Sequence, residues 1–162
     1  ISLTFLLSQF VRRIWKKRLS VLRNEEGTVE DENGLCKEFT VVLTGGKMSK
    51  TLHLVRSLRS YSMNNTNINV KIVVLETKKF RYSASRFSRC VDHFEVITSP
   101  RESPDAYMED IYRACERHGA THFLPVAAPV EAVFDAKLKS RLESELGTKV
   151  LHMVDTLCSI RE

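Results

Sequence analysis

The sequence predicts a doubly wound α/β domain with a mainly parallel five-stranded sheet, preceded by a helical extension. Three observations predict it. From about Glu38 onward, short β-rich runs alternate with helical periods of about 10–18 residues, the pattern of strands joined by crossover helices. The longest runs are continuously apolar, as strands covered on both faces must be. Proline and glycine stand where helices would open and close. At 162 residues the chain has room for one domain and an appendage.

In chain order, Phe39-Thr40-Val41-Val42-Leu43 reads as the first strand and Thr44-Gly45-Gly46 as the turn behind it. A helix follows with Met48, Leu52, Val55 and Leu58 on one face. Asn64, Asn65 and Thr66 make a loop, and Val70 to Leu75 is a second buried strand. Phe94 to Ile97 is a third. Ser103 is an N-cap with Pro104 at the first helical position. The helix behind it buries Tyr107, Ile111, Tyr112 and Cys115, and Gly119 closes it. Thr121 to Pro125 is the fourth strand. Pro129 opens a third helix with Val130, Phe134, Leu138 and Leu142 at steps of four, ended by Gly147. Lys149 to Met153 is the fifth strand. Asp155 caps a further helix carrying Leu157 and Ile160. The sequence reaches Glu162 within about two turns of that cap. It also begins without Met, so the expectation is a piece of a longer protein.

Two zones precede the α/β region. Residues 1–23 carry six basic side chains (Arg12, Arg13, Lys16, Lys17, Arg18, Arg23) and no acid, with apolar residues at roughly helical spacing. The run from Ile1 to Leu7 is short of the about 20 apolar residues a membrane span needs. Two readings stay open for this segment. One is the end of a truncated membrane helix with a basic flank. The other is an amphipathic helix lying on an anionic membrane or packed on protein. Residues 24–37 hold five acids, two glycines and almost nothing apolar, the composition of a solvated linker.

Charge and cysteine narrow the function classes. The net charge of +5 belongs to residues 1–23, because residues 24–162 carry 19 basic against 20 acidic side chains. The folded part therefore gives no net-charge argument for nucleic acid. Cys36, Cys90, Cys115 and Cys158 are too scattered for zinc or a redox pair, and read as reduced thiols of a cytoplasmic protein. His118 and His122 straddle Gly119 and share no helix face. There is no nucleophile-elbow serine motif.

In an open parallel sheet, ligands bind beyond the carboxyl ends of the strands. The first candidate is therefore Gly45, Gly46 and Lys47: two glycines admit close backbone approach, the following helix offers N–H groups, and Lys47 adds charge. Glu76 ends the second strand, where a dinucleotide fold places its ribose-binding acid. The stretch from Lys78 to Arg89 interleaves five basic residues with three aromatics, and the Arg86 and Arg89 forks suit a carboxylate or phosphate. Ala127 and Ala128, between Pro125 and Pro129, form an apolar rim.

Several ordered segments carry a family resemblance. They are Thr44-Gly45-Gly46-Lys47-Met48-Ser49-Lys50, Leu75 to Phe80, Arg86 to Phe94, Phe123 to Glu131, and Val150-Leu151-His152. Together they resemble the N-terminal pre-ATP-grasp domain of ATP-grasp carboxylate–amine ligases, among them those of mycosporine-type pathways. The resemblance covers residues 38–162 and implies a Rossmann-like sheet. It implies a parent enzyme that activates a carboxylate as an acyl phosphate with ATP and magnesium, and lets an amine displace phosphate. The nucleotide- and metal-binding groups belong to the ATP-grasp domain that follows, so this chain alone binds neither cofactor and is catalytically incomplete. On this chain the positions matching the substrate cleft are Gly45, Gly46, Lys47, Arg86, Arg89 and the loop holding Ala127 and Ala128. The implied partners are the downstream domain and small carboxylate and amine substrates. Two alternatives remain: an NAD(P)-dependent oxidoreductase, suggested by Thr44-Gly45-Gly46 and Glu76, and a non-catalytic α/β module tethered to a membrane by residues 1–23.

Overall fold

The computed structural model describes residues 37–126 and 129–151. The chain divides into two compact units, Ile1–Leu35 and Cys36–Glu162, and every described residue lies in the second. The basic segment 1–23, nearly all of the acidic linker, Ala127, Ala128 and the helix expected from Asp155 lie outside the described residues.

The elements are β1 (Lys37–Leu43), α1 (Ser49–Asn64), β2 (Ile68–Thr77), two short 3₁₀ turns (Lys78–Phe80 and Ala84–Phe87), β3 (His93–Ile97), α2 (Pro104–His118), β4 (His122–Leu124), α3 (Pro129–Glu145) and β5 (Lys149–Val150). All five strands are parallel and stand in the order β3-β2-β1-β4-β5. This is a Rossmann-like doubly wound sheet, as the alternation of elements predicts.

Side chains alternate across the sheet and build two cores. On one face Val41, Leu43, Val70, Ile72 and Val74 pack with Val55 of α1. On the other, Val42, Val73, Leu75 and Phe123 pack with Tyr107, Ile111 and Cys115 of α2 and Leu138 and Leu142 of α3. Central strands buried on both sides explain the unbroken apolar runs of the sequence.

The boundaries differ from expectation in instructive ways. β1 starts at Lys37, the last residue of the expected linker, because its register with Ile68 pairs it there. β2 runs on through Glu76 and Thr77, which pair with Val96 and Ile97 of β3. β5 is only two residues long, with Leu151 already outside it. Met48 is the N-cap of α1 rather than a helical residue, and Tyr112 is half-buried. The α2 caps are as expected. The Ser103 hydroxyl accepts from the Ala106 N–H at 3.3 Å, and Gly119 closes the helix at φ +61°.

Candidate functional site

The order of strands reverses between β1 and β4, so the crevice where a parallel sheet takes ligands lies between the loops that follow them. Those loops are the turn Thr44 to Met48 and the segment from Pro125. Here the chain fills the crevice itself. The Thr44 hydroxyl accepts from the Val126 N–H at 3.2 Å. Gly45 holds φ +74°, and a Cβ there would lie 2.9 Å from the Val126 carbonyl oxygen. A Cβ on Gly46 would lie 2.9 Å from Val74 Cγ1. Both glycines are thus required by the packing of the turn against β2 and the segment after β4.

Several groups of the turn are tied to the surrounding chain. The buried Thr51 hydroxyl donates to the Gly45 carbonyl at 2.6 Å. The buried Ser85 hydroxyl donates to the Gly46 carbonyl at 2.6 Å. The Lys47 N–H donates to Glu76 Oε2 at 2.6 Å. The other oxygen of Glu76 accepts from the N–H and hydroxyl of Thr77 at 2.7 and 3.0 Å. Glu76 is 3% exposed, and its carboxylate staples the turn to the end of β2. Lys47 reaches across to Glu131 of α3 at 3.6 Å and lies 4.6 Å from the centre of the Phe80 ring.

The structure therefore brings Gly45, Gly46, Lys47 and Glu76 to one place. Arg86 and Arg89 are exposed on the segment that follows β2. Arg86 donates to the Arg81 carbonyl at 3.2 Å, and its guanidinium lies 5.7 Å from the ring centres of both Tyr82 and Phe94. Between Thr44, Glu76, Thr77, Tyr107 and Glu131 remains a pit of about 10 Å³. That is room for about one water molecule. A larger open groove of about 510 Å³ runs between α2 and α3, lined by Asp105, Met108, Glu109, Lys137 and Arg141. It includes none of the turn residues.

Sequence reasoning missed Asp135. Its side chain is fully buried, and Oδ1 accepts from the Tyr107 hydroxyl at 2.9 Å. Oδ2 has no hydrogen-bond partner. Burial pushes the carboxyl up to about 7, with the Glu131 charge adding to the rise and the Tyr107 hydrogen bond opposing it. The same burial and the Asp135 charge push the Tyr107 hydroxyl up as well. The signal was present: Asp135, Leu138 and Leu142 stand at i, i+3 and i+7, the buried stripe of α3. Steps of four drift by about 40° each, so the series Phe134, Leu138, Leu142 reaches that stripe only at Leu138 and Leu142.

Among the described residues, no group of three His, Cys, Asp or Glu side chains is placed to hold a metal ion. No described helix is long and apolar enough to cross a membrane. Compared with protein-family models and with curated proteins, the chain matches none.

Proposed function

We propose that the α/β unit is the N-terminal substrate-cleft domain of an ATP-dependent carboxylate–amine ligase. One observation carries the reading. Segments scattered through the sequence (44–50, 75–80 and 123–126) interlock at the carboxyl edge of the sheet through Lys47–Glu76, Lys47–Phe80 and Thr44–Val126, and Ser85, just before segment 86–94, joins them through Gly46. Among the described residues, the pit at this edge between Thr44, Glu76, Thr77, Tyr107 and Glu131 holds about 10 Å³. Such an edge offers a small substrate a wall more than a chamber. A small substrate held against it needs a second body to close over it, which is the role of a domain packed on a catalytic domain.

The residues on this edge do not fit ATP or magnesium. The turn is no P-loop, and the Glu76 carboxylate is already occupied by three donors. No step through either group is assigned to these residues, which wall and orient the substrate. The same occupancy weakens the oxidoreductase alternative, since a ribose-binding acid needs a free oxygen.

The test begins with the transcript beyond the codon for Glu162 and the native protein it encodes. The expected continuation is an α+β domain bearing lysines and acids. The native protein should release ADP only when a carboxylate and an amine are both present. With hydroxylamine as the amine it should yield a hydroxamate, as nitrogen attacks the activated carbonyl and phosphate leaves. A stop codon at that point, or no ATP-dependent hydroxamate from any carboxylate of a broad panel, overturns the reading.

A further inference from the structure

We propose that the exposed ridge from Lys78 to Arg89 docks on an anionic lipid bilayer. The charge distribution is the first ground. Residues 77–91 hold Lys78, Lys79, Arg81, Arg86 and Arg89 and no acid, while the rest of residues 37–151 balances 13 basic against 13 acidic side chains. The excess positive charge of the folded unit is concentrated in this one segment. All five cations are exposed.

The second ground is apolar. Tyr82 is 69% and Phe87 71% exposed, two of the largest exposed hydrophobic side chains among the described residues. Exposed cations interleaved along the chain with exposed aromatics match the layered chemistry of a membrane interface, with phosphates outside and acyl chains beneath.

The third ground is stiffness. Successive three-residue turns tie Arg81 N–H to Lys78 O at 3.4 Å, Ser83 to Phe80 at 2.9 Å, Arg86 to Ser83 at 3.1 Å and Ser88 to Ser85 at 3.2 Å. Buried Ser85 anchors the whole segment to Gly46. The ridge is presented ready-made, so little ordering entropy opposes docking.

A single-stranded nucleic acid fits less well. Base stacking needs free ring faces. Tyr82 already has the Arg81 guanidinium 4.9 Å and the Arg86 guanidinium 5.7 Å from its ring centre. Phe87 alone is no platform for successive bases. A flat array of phosphates asks only for charge and a wedge.

The experiment uses the full chain, because residues 1–23 are themselves basic. In a background with Arg12, Arg13, Lys16, Lys17, Arg18 and Arg23 all changed to Gln, co-sedimentation is measured with phosphatidylcholine vesicles, with and without phosphatidylserine. Binding should require phosphatidylserine and weaken as salt rises. Each basic side chain at such a surface contributes roughly fivefold in partitioning. Lys78→Glu, Lys79→Glu and Arg81→Glu together should therefore lower it by at least about tenfold, and Phe87→Ser should lower it again. Thermal unfolding checks that the variants fold. If the triple reversal lowers the melting temperature, Lys79→Gln/Phe87→Ser carries the same comparison. Four results would overturn the proposal: undiminished binding by the ridge variants, equal binding to uncharged vesicles, release by millimolar inorganic phosphate at constant ionic strength, or ridge-dependent binding of single-stranded DNA tighter than that of vesicles. The third would mean a small-anion site and the fourth a nucleic-acid surface. None of these outcomes bears on the ligase reading, whose readout is hydroxamate.

Discussion

Removing the Asp135 carboxyl from water raises its affinity for a proton from the ordinary 3.8 to about 7, against the pull of the Tyr107 hydroxyl. Below about pH 3.8 the native and unfolded states are both protonated there, and the group costs nothing. As pH rises from about 4 to 7 the unfolded chain ionises first, so the native state loses stability by roughly 1.4 kcal/mol per pH unit from this group. The full cost is in place above about pH 7. Asp135→Asn removes the titration and keeps an acceptor for Tyr107. Its stability relative to the parent should rise between pH 5 and pH 8 in urea titrations; a constant difference across that range would show that Asp135 does not titrate as assigned. Tyr107→Phe takes away the one hydrogen bond that buried Asp135 has, and should cost about 1–3 kcal/mol.

At the scale of elements, the turn after β1 is the least forgiving piece. Gly45→Ala meets a positive φ and a backbone carbonyl 2.9 Å away that no side-chain rearrangement can move. A loss of about 1–3 kcal/mol is expected in denaturant titration. Gly46→Ala meets a methyl of Val74, which can yield slightly, and should cost less. At α2, Ser103→Ala removes the N-cap acceptor and should cost about 1 kcal/mol. The sequence announced that helix because both its caps are local chemistry: Ser103 and Pro104 at one end, Gly119 at the other. Likewise Val41 to Leu43 and Ile72 to Leu75 could hardly be anything but strands covered on both faces. What could not be read locally depends on residues distant in the chain. β2 is extended by pairing with Val96 and Ile97, and Glu76 is occupied by the N–H of Lys47, 29 residues earlier. The candidate site was legible as the turn Gly45-Gly46-Lys47 with Glu76. That the turn is packed shut by Val126 and Ser85 was not, since neither contact leaves a trace in the spacing of the sequence.

For the whole molecule, stability and surface chemistry are separated in space, and this separation can be tested. Net charge summed over residues 24–162 conceals the ridge, because acids outside residues 37–151 cancel it in the sum. The ridge cations have exposed side chains. The turn, by contrast, is tied by buried hydroxyls and a carboxylate to α1, β2, the segment after β2 and the segment after β4. Surface substitutions away from such ties shift stability by about ±0.5 kcal/mol or less. Lys78→Glu/Lys79→Glu should therefore leave the urea midpoint nearly unchanged. Glu76→Gln should lower the midpoint through a stability loss of about 1–3 kcal/mol, because an amide nitrogen in place of one oxygen faces an N–H donor in a buried site. The urea midpoints of the two variants, measured side by side, decide the point. A large loss from the lysine pair would mean that the ridge helps hold the sheet, and its exposed cations would then need a structural explanation. A neutral Glu76→Gln would mean that the staple between the turn and β2 is dispensable, leaving the Glu76 carboxylate free for a ligand after all.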